Sequence, residues 1–157
     1  MSEQSEHVLT PDAARRSLRS VWALLLLSLP VYGLVALVAA PPADWDWTLH
    51  TNWAVVAVFA AMAVATMVAI PLVRKHMFFR PLQQGDIDRR SRDYLAELRT
   101  MSAATWALAT SLAIYGLLAY FFSYSLWVFA AFYGPSIALF LYYRPPYDLV
   151  DEMERPR

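Results

Sequence analysis

The sequence predicts an all-α membrane protein, a bundle of four transmembrane helices. Four apolar stretches contain no charged residue, and as helices each is about 27 to 31 Å long, which matches a hydrocarbon core of about 30 Å. Hydrophobic residues make up 59% of the chain, an excess for a water-soluble domain of this size. We therefore predict one integral membrane domain over residues 1–157, with its spans at about residues 21–40, 53–73, 102–122 and 126–143.

The basic residues all lie on one side of this predicted topology. Of the 13 Lys and Arg residues, three precede the first span, seven lie between the second and third, and three follow the fourth. The two outer loops, 41–52 and 123–125, contain none. Because loops rich in Lys and Arg remain in the cytoplasm, both termini, the connection 75–101 and the tail 145–157 are predicted to be cytoplasmic, in a bacterial inner membrane.

The first span could instead be a cleaved signal peptide, because arginines precede it and residues 38–40 (Val-Ala-Ala) resemble a cleavage site. Its apolar run, however, is about twice as long as the core of a signal peptide. Pro41 would also occupy the position after the cut. We therefore expect this span to be retained.

A duplication is the most specific pattern in the sequence. Residues 28–36 and 111–119 are identical at six of nine positions. The shared residues include three pairs that could pack helices or contact a solute: Ser28 with Ser111, Tyr32 with Tyr115, and Gly33 with Gly116. A second motif, Val-Phe-Ala-Ala, recurs at 58–61 and 128–131. These matches predict two tandem helical hairpins that both enter from the cytoplasm, repeat 1 at about 11–74 and repeat 2 at about 99–144.

Two of the helices are predicted to extend beyond the membrane. Pro11 suits the first position of a helix, and Asp12 would favour its positive end, so the first helix is expected to start near Pro11. Asp86 is a cap candidate for a second cytoplasmic segment. Its apolar residues continue at helical spacing into the third span: Ile87, Tyr94, Leu95, Leu98 and Met101.

The spans contain no Asp, Glu, Lys, Arg or His, the residue types on which a proton relay or ion carrier usually depends. The chain has no cysteine, which excludes disulfides and thiolate chemistry. We therefore predict no catalytic residue, no metal, no cofactor and no nucleic-acid partner. An enzyme with its active residues at the interfacial His50, at His76 or in the acidic outer loop remains as an alternative.

Small residues recur at every fourth position in two spans, a pattern that lets helix backbones approach closely. They are Ala57, Ala61, Ala65 and Ala69 in the second span, and Ala130, Gly134 and Ala138 in the fourth. Gly134 and Pro135 also interrupt the helical hydrogen bonds of the fourth span, as a static kink or a hinge would. Three cations after the second span are candidates for contact with anionic lipid headgroups: Arg74, Lys75 and Arg80.

These features favour a small non-enzymatic protein that binds the lipid bilayer and packs against other membrane subunits or against its own copies. It would serve as an accessory or structural subunit, because the chain offers packing surfaces and lacks a reactive group in its spans. The alternative is a carrier or channel for a neutral or weakly polar solute. In that case the repeated Ser, Tyr and Gly residues and Gly134-Pro135 would contact the solute.

Overall fold

The computed structural model describes residues 11–39, 52–80, 83 and 92–146. Its main elements are four α-helices and one π-helical turn. They are α1 (Pro11–Val38), α2 (Trp53–Arg74), the π-helical turn (Lys75–Phe79), α3 (Arg92–Ser123) and α4 (Leu126–Tyr142). The predicted all-α class is confirmed.

Three of these helices, α1, α2 and α3, are long and apolar enough to cross a membrane. The fourth, α4, is also apolar but has 17 residues, which gives it a length of about 26 Å. That is slightly shorter than the hydrocarbon core of about 30 Å. Three helices thus support the prediction of an integral membrane protein. That α4 also crosses the membrane fully stays a prediction.

α1 is described from Pro11 onward, with Asp12 in its first turn, and because residues 1–10 lie outside the described residues, the predicted start near Pro11 stays a prediction. The predicted cap at Asp86, together with Ile87, lies outside the described residues, and α3 is described from Arg92 onward. Four apolar residues that were predicted to continue this helix into the third span are buried in α3: Tyr94, Leu95, Leu98 and Met101.

Side-chain caps set the starts of α2 and α4. Asn52 Oδ1 accepts a hydrogen bond from Val55 N (3.3 Å), and Ser125 Oγ accepts one from Val128 N (3.5 Å). Amides in the first turn lack the carbonyl four residues earlier that the rest of a helix uses, and these side-chain oxygens provide an acceptor there. Between α3 and α4, Tyr124 adopts a positive φ of 49°, and the chain reverses within two residues.

The central helix of the bundle is α3. It packs against α1, α2 and α4, and half of its apolar span is buried, compared with 11% for α1 and 22% for α2. α4 forms a close hairpin with α3, whereas α1 and α2 each pack mainly on α3 and not on each other. The two predicted hairpins therefore do not pack alike, and the tandem repeat remains a prediction from the sequence.

Helices α1 and α3 run parallel to each other in the same direction. Near the starts of both helices, Leu18 lies in one buried cluster with Tyr94 and Leu98. Near their ends, Ala36 lies in another cluster with Tyr120. The two helices thus begin on the same side of the bundle and remain packed along most of their lengths.

Candidate functional site

The two repeated serines bond main-chain atoms of their own helices. Ser28 Oγ donates to Leu25 O (2.6 Å), and Ser111 Oγ donates to Leu108 O (2.7 Å). Serine commonly satisfies its hydroxyl in this way within a helix. Both hydroxyl protons are therefore engaged locally and are not directed toward a neighbouring helix.

The two repeated tyrosines lie in different clusters of the core. Tyr32 packs against the cluster that α1, α3 and α4 form together. Tyr115 packs against the cluster of α2, α3 and α4, where its ring stacks on that of Phe59 with the centroids 6.3 Å apart. The two tyrosines thus pack against different clusters, and a solute contact at either of them stays a prediction.

The three candidate glycines have different surroundings. A Cβ atom on Gly116 would lie 2.8 Å from Phe132 Cβ, because α4 lies directly against α3 there. A Cβ atom on Gly33 would lie 3.4 Å from the hydroxyl oxygen of Tyr133, which is an ordinary contact. Around Gly134, no atom of the described residues outside its own stretch of helix lies within 4 Å of the corresponding position. Gly116 thus permits a close helix contact, and Gly134 lies on an open surface.

Polar side chains also join neighbouring helices, through contacts that the sequence did not predict. Each donates to a main-chain carbonyl: Ser136 Oγ to Ala109 O (2.7 Å), Trp106 Nε1 to Tyr143 O (2.6 Å), and the Tyr120 hydroxyl to Ala39 O. Trp and Tyr rings of this kind favour the membrane interfaces, because each has an apolar body and a polar group. Their acceptors are main-chain atoms, which any residue type supplies, so the sequence carried no signal for the pairs.

The small-residue stripes face away from the bundle. Their exposed members are Ala57, Ala61 and Ala65 on α2, and Ala130, Gly134 and Ala138 on α4, while Ala69 is partly exposed. The buried face of α2 is a different one, which includes Val56, Ala63 and Ile70 at intervals of seven residues. The stripes thus support no close packing within the chain, and they leave two surfaces where another helix backbone could approach.

A narrow apolar groove separates α2 from α4. Its volume is about 210 Å³, and its walls include Ala60, Val64 and Met67 of α2, Leu112 of α3, and Ala131 and Pro135 of α4. Val64 is 57% exposed, so the groove opens toward the outside of the bundle. Pro135, the candidate hinge residue, therefore contributes to the wall of a groove that would face lipid.

The predicted lipid-headgroup cations lie at the end of α2. Arg74 Cζ is 4.6 Å from the centroid of the Tyr143 ring and 5.9 Å from that of Phe79. Tyr143 directly follows α4, so this cation–π contact joins the end of α2 to the end of α4. Lys75 and Arg80 are exposed nearby in the chain, and within the described ranges none of the three cations forms a salt bridge.

A second open groove, of about 620 Å³, runs along the first half of α3. Among the described residues, its lining comes entirely from α3: Ala96, Arg99, Thr100, Ala103, Ala104 and Ala107. Four of these six are alanines, so the central helix also presents a small-residue surface. Neither α1 nor α2 covers this surface completely.

The described side chains do not form a metal centre, because no three His, Asp or Glu residues among them lie close enough to hold an ion. His76 is exposed in the π-helical turn, and His50 with the acidic outer loop falls outside the described residues. The arrangement offers packing surfaces, an apolar groove and a cluster of cations. Comparisons with protein-family models, curated proteins and solved structures find no match to this chain.

Proposed function

We propose that this chain is a small non-enzymatic subunit of a membrane assembly, either a complex with other chains or an oligomer of its own copies. The observation that carries the proposal is the outward orientation of the small-residue stripes of α2 and α4. Helices within a bilayer gain little from hydrophobicity alone and associate through close packing, which small residues permit. The stripes are therefore suited to contact with another helix.

The exposed surface of α1 carries large aliphatic side chains, in contrast to the small residues of the stripes. Its Leu24, Leu27 and Leu37 side chains are each more than two-thirds exposed. Large aliphatic side chains of this kind are ordinary on a surface that meets acyl chains. The small residues are concentrated on α2, α4 and the open groove of α3, and we assign the partner contacts to those surfaces.

The use of polar groups within the spans favours a structural role. Thr66, Thr105 and Thr110 each donate to the carbonyl four residues earlier, so their hydroxyls are satisfied within their own helices. The predicted spans also contain no Asp, Glu, Lys, Arg or His. Proton transfer and ion transport usually depend on such groups facing the bundle interior, which supports a subunit that acts through its surfaces.

Single cysteines carrying a photo-crosslinker test the stripes, because the chain has no cysteine of its own. In native membranes, benzophenone attached to Ala61→Cys or Gly134→Cys is expected to cross-link to a second protein chain, since both positions lie on the proposed contact surfaces. Leu27→Cys, on the exposed aliphatic surface of α1, is the matched control and is expected to react with lipid. Protein adducts at the control alone, or at none of the three positions, would contradict the assignment.

We further propose that the protein lies in a bacterial inner membrane with both termini in the cytoplasm. The distribution of its 13 basic residues supports this orientation, as does the shared direction of α1 and α3. In intact spheroplasts, a membrane-impermeant maleimide is expected to label Asp46→Cys in the outer loop. Asp12→Cys should react only after the membrane is opened, and the reverse labelling pattern would refute the orientation.

A further inference from the structure

We infer that the groove between α2 and α4 is a binding site for one acyl chain of an anionic phospholipid, whose headgroup is bound by Arg74 and Lys75. The inference rests on the membrane orientation proposed above, which puts this end of the bundle in the cytoplasmic leaflet. It does not depend on whether the chain assembles with partners.

The composition of the groove favours an apolar occupant. Its volume of about 210 Å³ would hold about seven waters at about 30 Å³ each, but its walls are formed largely by alanine, valine, leucine and methionine side chains. Water needs two to four polar partners to be stable in a cavity, so apolar cavities of this kind remain dry. Because the groove opens to the outside, lipid chains have direct access to it.

The groove is large enough for an acyl chain but too small for a helix. Its α2 wall extends from Ala60 to Met67, which is about 10 Å along the helix axis. A helix about 10 Å wide would fill about 800 Å³ over that length, roughly four times the volume of the groove. A single hydrocarbon chain is much thinner. A partner helix would therefore contact the exposed stripes and not enter this groove.

The headgroup position follows from the register of α2. Ala60, Met67 and Arg74 are spaced seven residues apart, so they lie along nearly the same line on the helix. Arg74 is about 10 Å from the near end of the groove and about 21 Å from its far end. One leaflet contributes about 15 Å of hydrocarbon. A lipid with its phosphate at Arg74 thus has the distal part of a chain at the depth of the groove.

The charges at this end of the bundle match an anionic headgroup. The Arg74 guanidinium lies near two rings, with Cζ 4.6 Å from the Tyr143 centroid and 5.9 Å from the Phe79 centroid, and a guanidinium that contacts a ring through its face can still bind a phosphate through its N–H groups. Lys75 is exposed next to it in the chain, and among the described residues no carboxylate neutralises either cation. The cation–π contact also fixes Arg74 between the ends of the two helices that form the groove.

Native mass spectrometry of the full chain tests the site. The protein is incubated with equal amounts of phosphatidylglycerol and phosphatidylcholine that carry the same acyl chains. Wild type is expected to retain phosphatidylglycerol preferentially. Arg74→Gln and Lys75→Gln are each expected to weaken retention about fivefold, and Arg74→Lys much less, because each basic side chain contributes about that factor near an anionic headgroup.

Two alanine substitutions on α2 separate this inference from the proposed function. Ala60→Leu fills the groove and is expected to remove the bound lipid while the assembly mass stays unchanged. Ala65→Leu alters the exposed stripe and is expected to leave the bound lipid in place while the assembly is lost. The inference is overturned if both lipids are retained equally, if Ala60→Leu keeps its lipid, or if Ala60→Leu releases a protein chain instead.

Discussion

Gly116→Ala is expected to lower the free energy of unfolding by up to about 2 kcal/mol, because the overlap of the added methyl group with α4, which costs about 1 to 3 kcal/mol, exceeds the roughly 1 kcal/mol by which alanine favours a helix over glycine. The new Cβ atom would lie 2.8 Å from Phe132 Cβ and 3.2 Å from Phe129 O. The second contact is to a main-chain atom, which cannot turn away as a side chain can. The two helices would have to separate along a buried interface, and thermal unfolding in detergent, followed by tryptophan fluorescence, measures the loss.

Gly134→Ala is the matched control, since it makes the same chemical change on the surface of α4. No described atom outside its own stretch of helix lies within 4 Å of its new methyl group, and alanine favours a helix over glycine by up to about 1 kcal/mol. We expect its melting temperature to equal or exceed that of wild type. If Gly116→Ala melted together with Gly134→Ala, the close approach of α3 and α4 at Gly116 would be refuted.

Trp106→Ala is expected to destabilise the protein by about 3 to 5 kcal/mol, the largest effect of any single truncation proposed for this chain. The Trp106 side chain is 1% exposed in the core of α1, α3 and α4. Its Nε1 atom also donates to Tyr143 O, at the end of α4. The substitution therefore leaves a large cavity and removes the hydrogen bond that holds the end of that helix.

Two further variants serve to interpret the loss of stability in Trp106→Ala. One isolates the hydrogen bond, and the other is an exposed control. Trp106→Phe retains most of the ring volume but loses the donor, so we expect it to cost about 1 to 3 kcal/mol through the lost hydrogen bond. Trp127→Ala changes a side chain that is 86% exposed and should alter stability by less than about 0.5 kcal/mol. Chemical denaturation gives the three values, and an equal loss at both tryptophans would show that Trp106 is not a core residue.

The sequence predicted the helices more successfully than their packing. Long uncharged stretches located α1, α2 and α3. Hydropathy carries this information because the length of a span follows from the thickness of the bilayer. The central place of α3 was not predicted, since residues 28–36 and 111–119 are so similar that they suggested two equivalent hairpins.

The sequence also did not predict which way the small residues of α2 face. The buried Val56, Ala63 and Ile70 on α2 and the exposed Ala57, Ala61 and Ala65 are all apolar. In water, polarity would separate an inner face from an outer one. In a membrane both faces are apolar, so hydropathy cannot distinguish them, and only the fit between helices decides which face turns inward.

Only the charged part of the candidate site was predicted from the sequence. Cations near a membrane interface are recognisable from their charge, and Arg74, Lys75 and Arg80 were identified in that way. The α2–α4 groove is formed by residues from three helices whose relative positions the sequence does not encode locally. The contact between Arg74 and Tyr143 likewise depends on where α2 and α4 end.

The proposed role as a subunit is tested most directly by native mass spectrometry of the tagged protein, extracted gently from its own membranes, with the assembly mass and all copurifying chains recorded. We expect either a homo-oligomer or a complex of fixed stoichiometry, and in both cases we expect Ala65→Leu to dissociate it. A lone monomer under extraction conditions that preserve other complexes of the same membrane would contradict it.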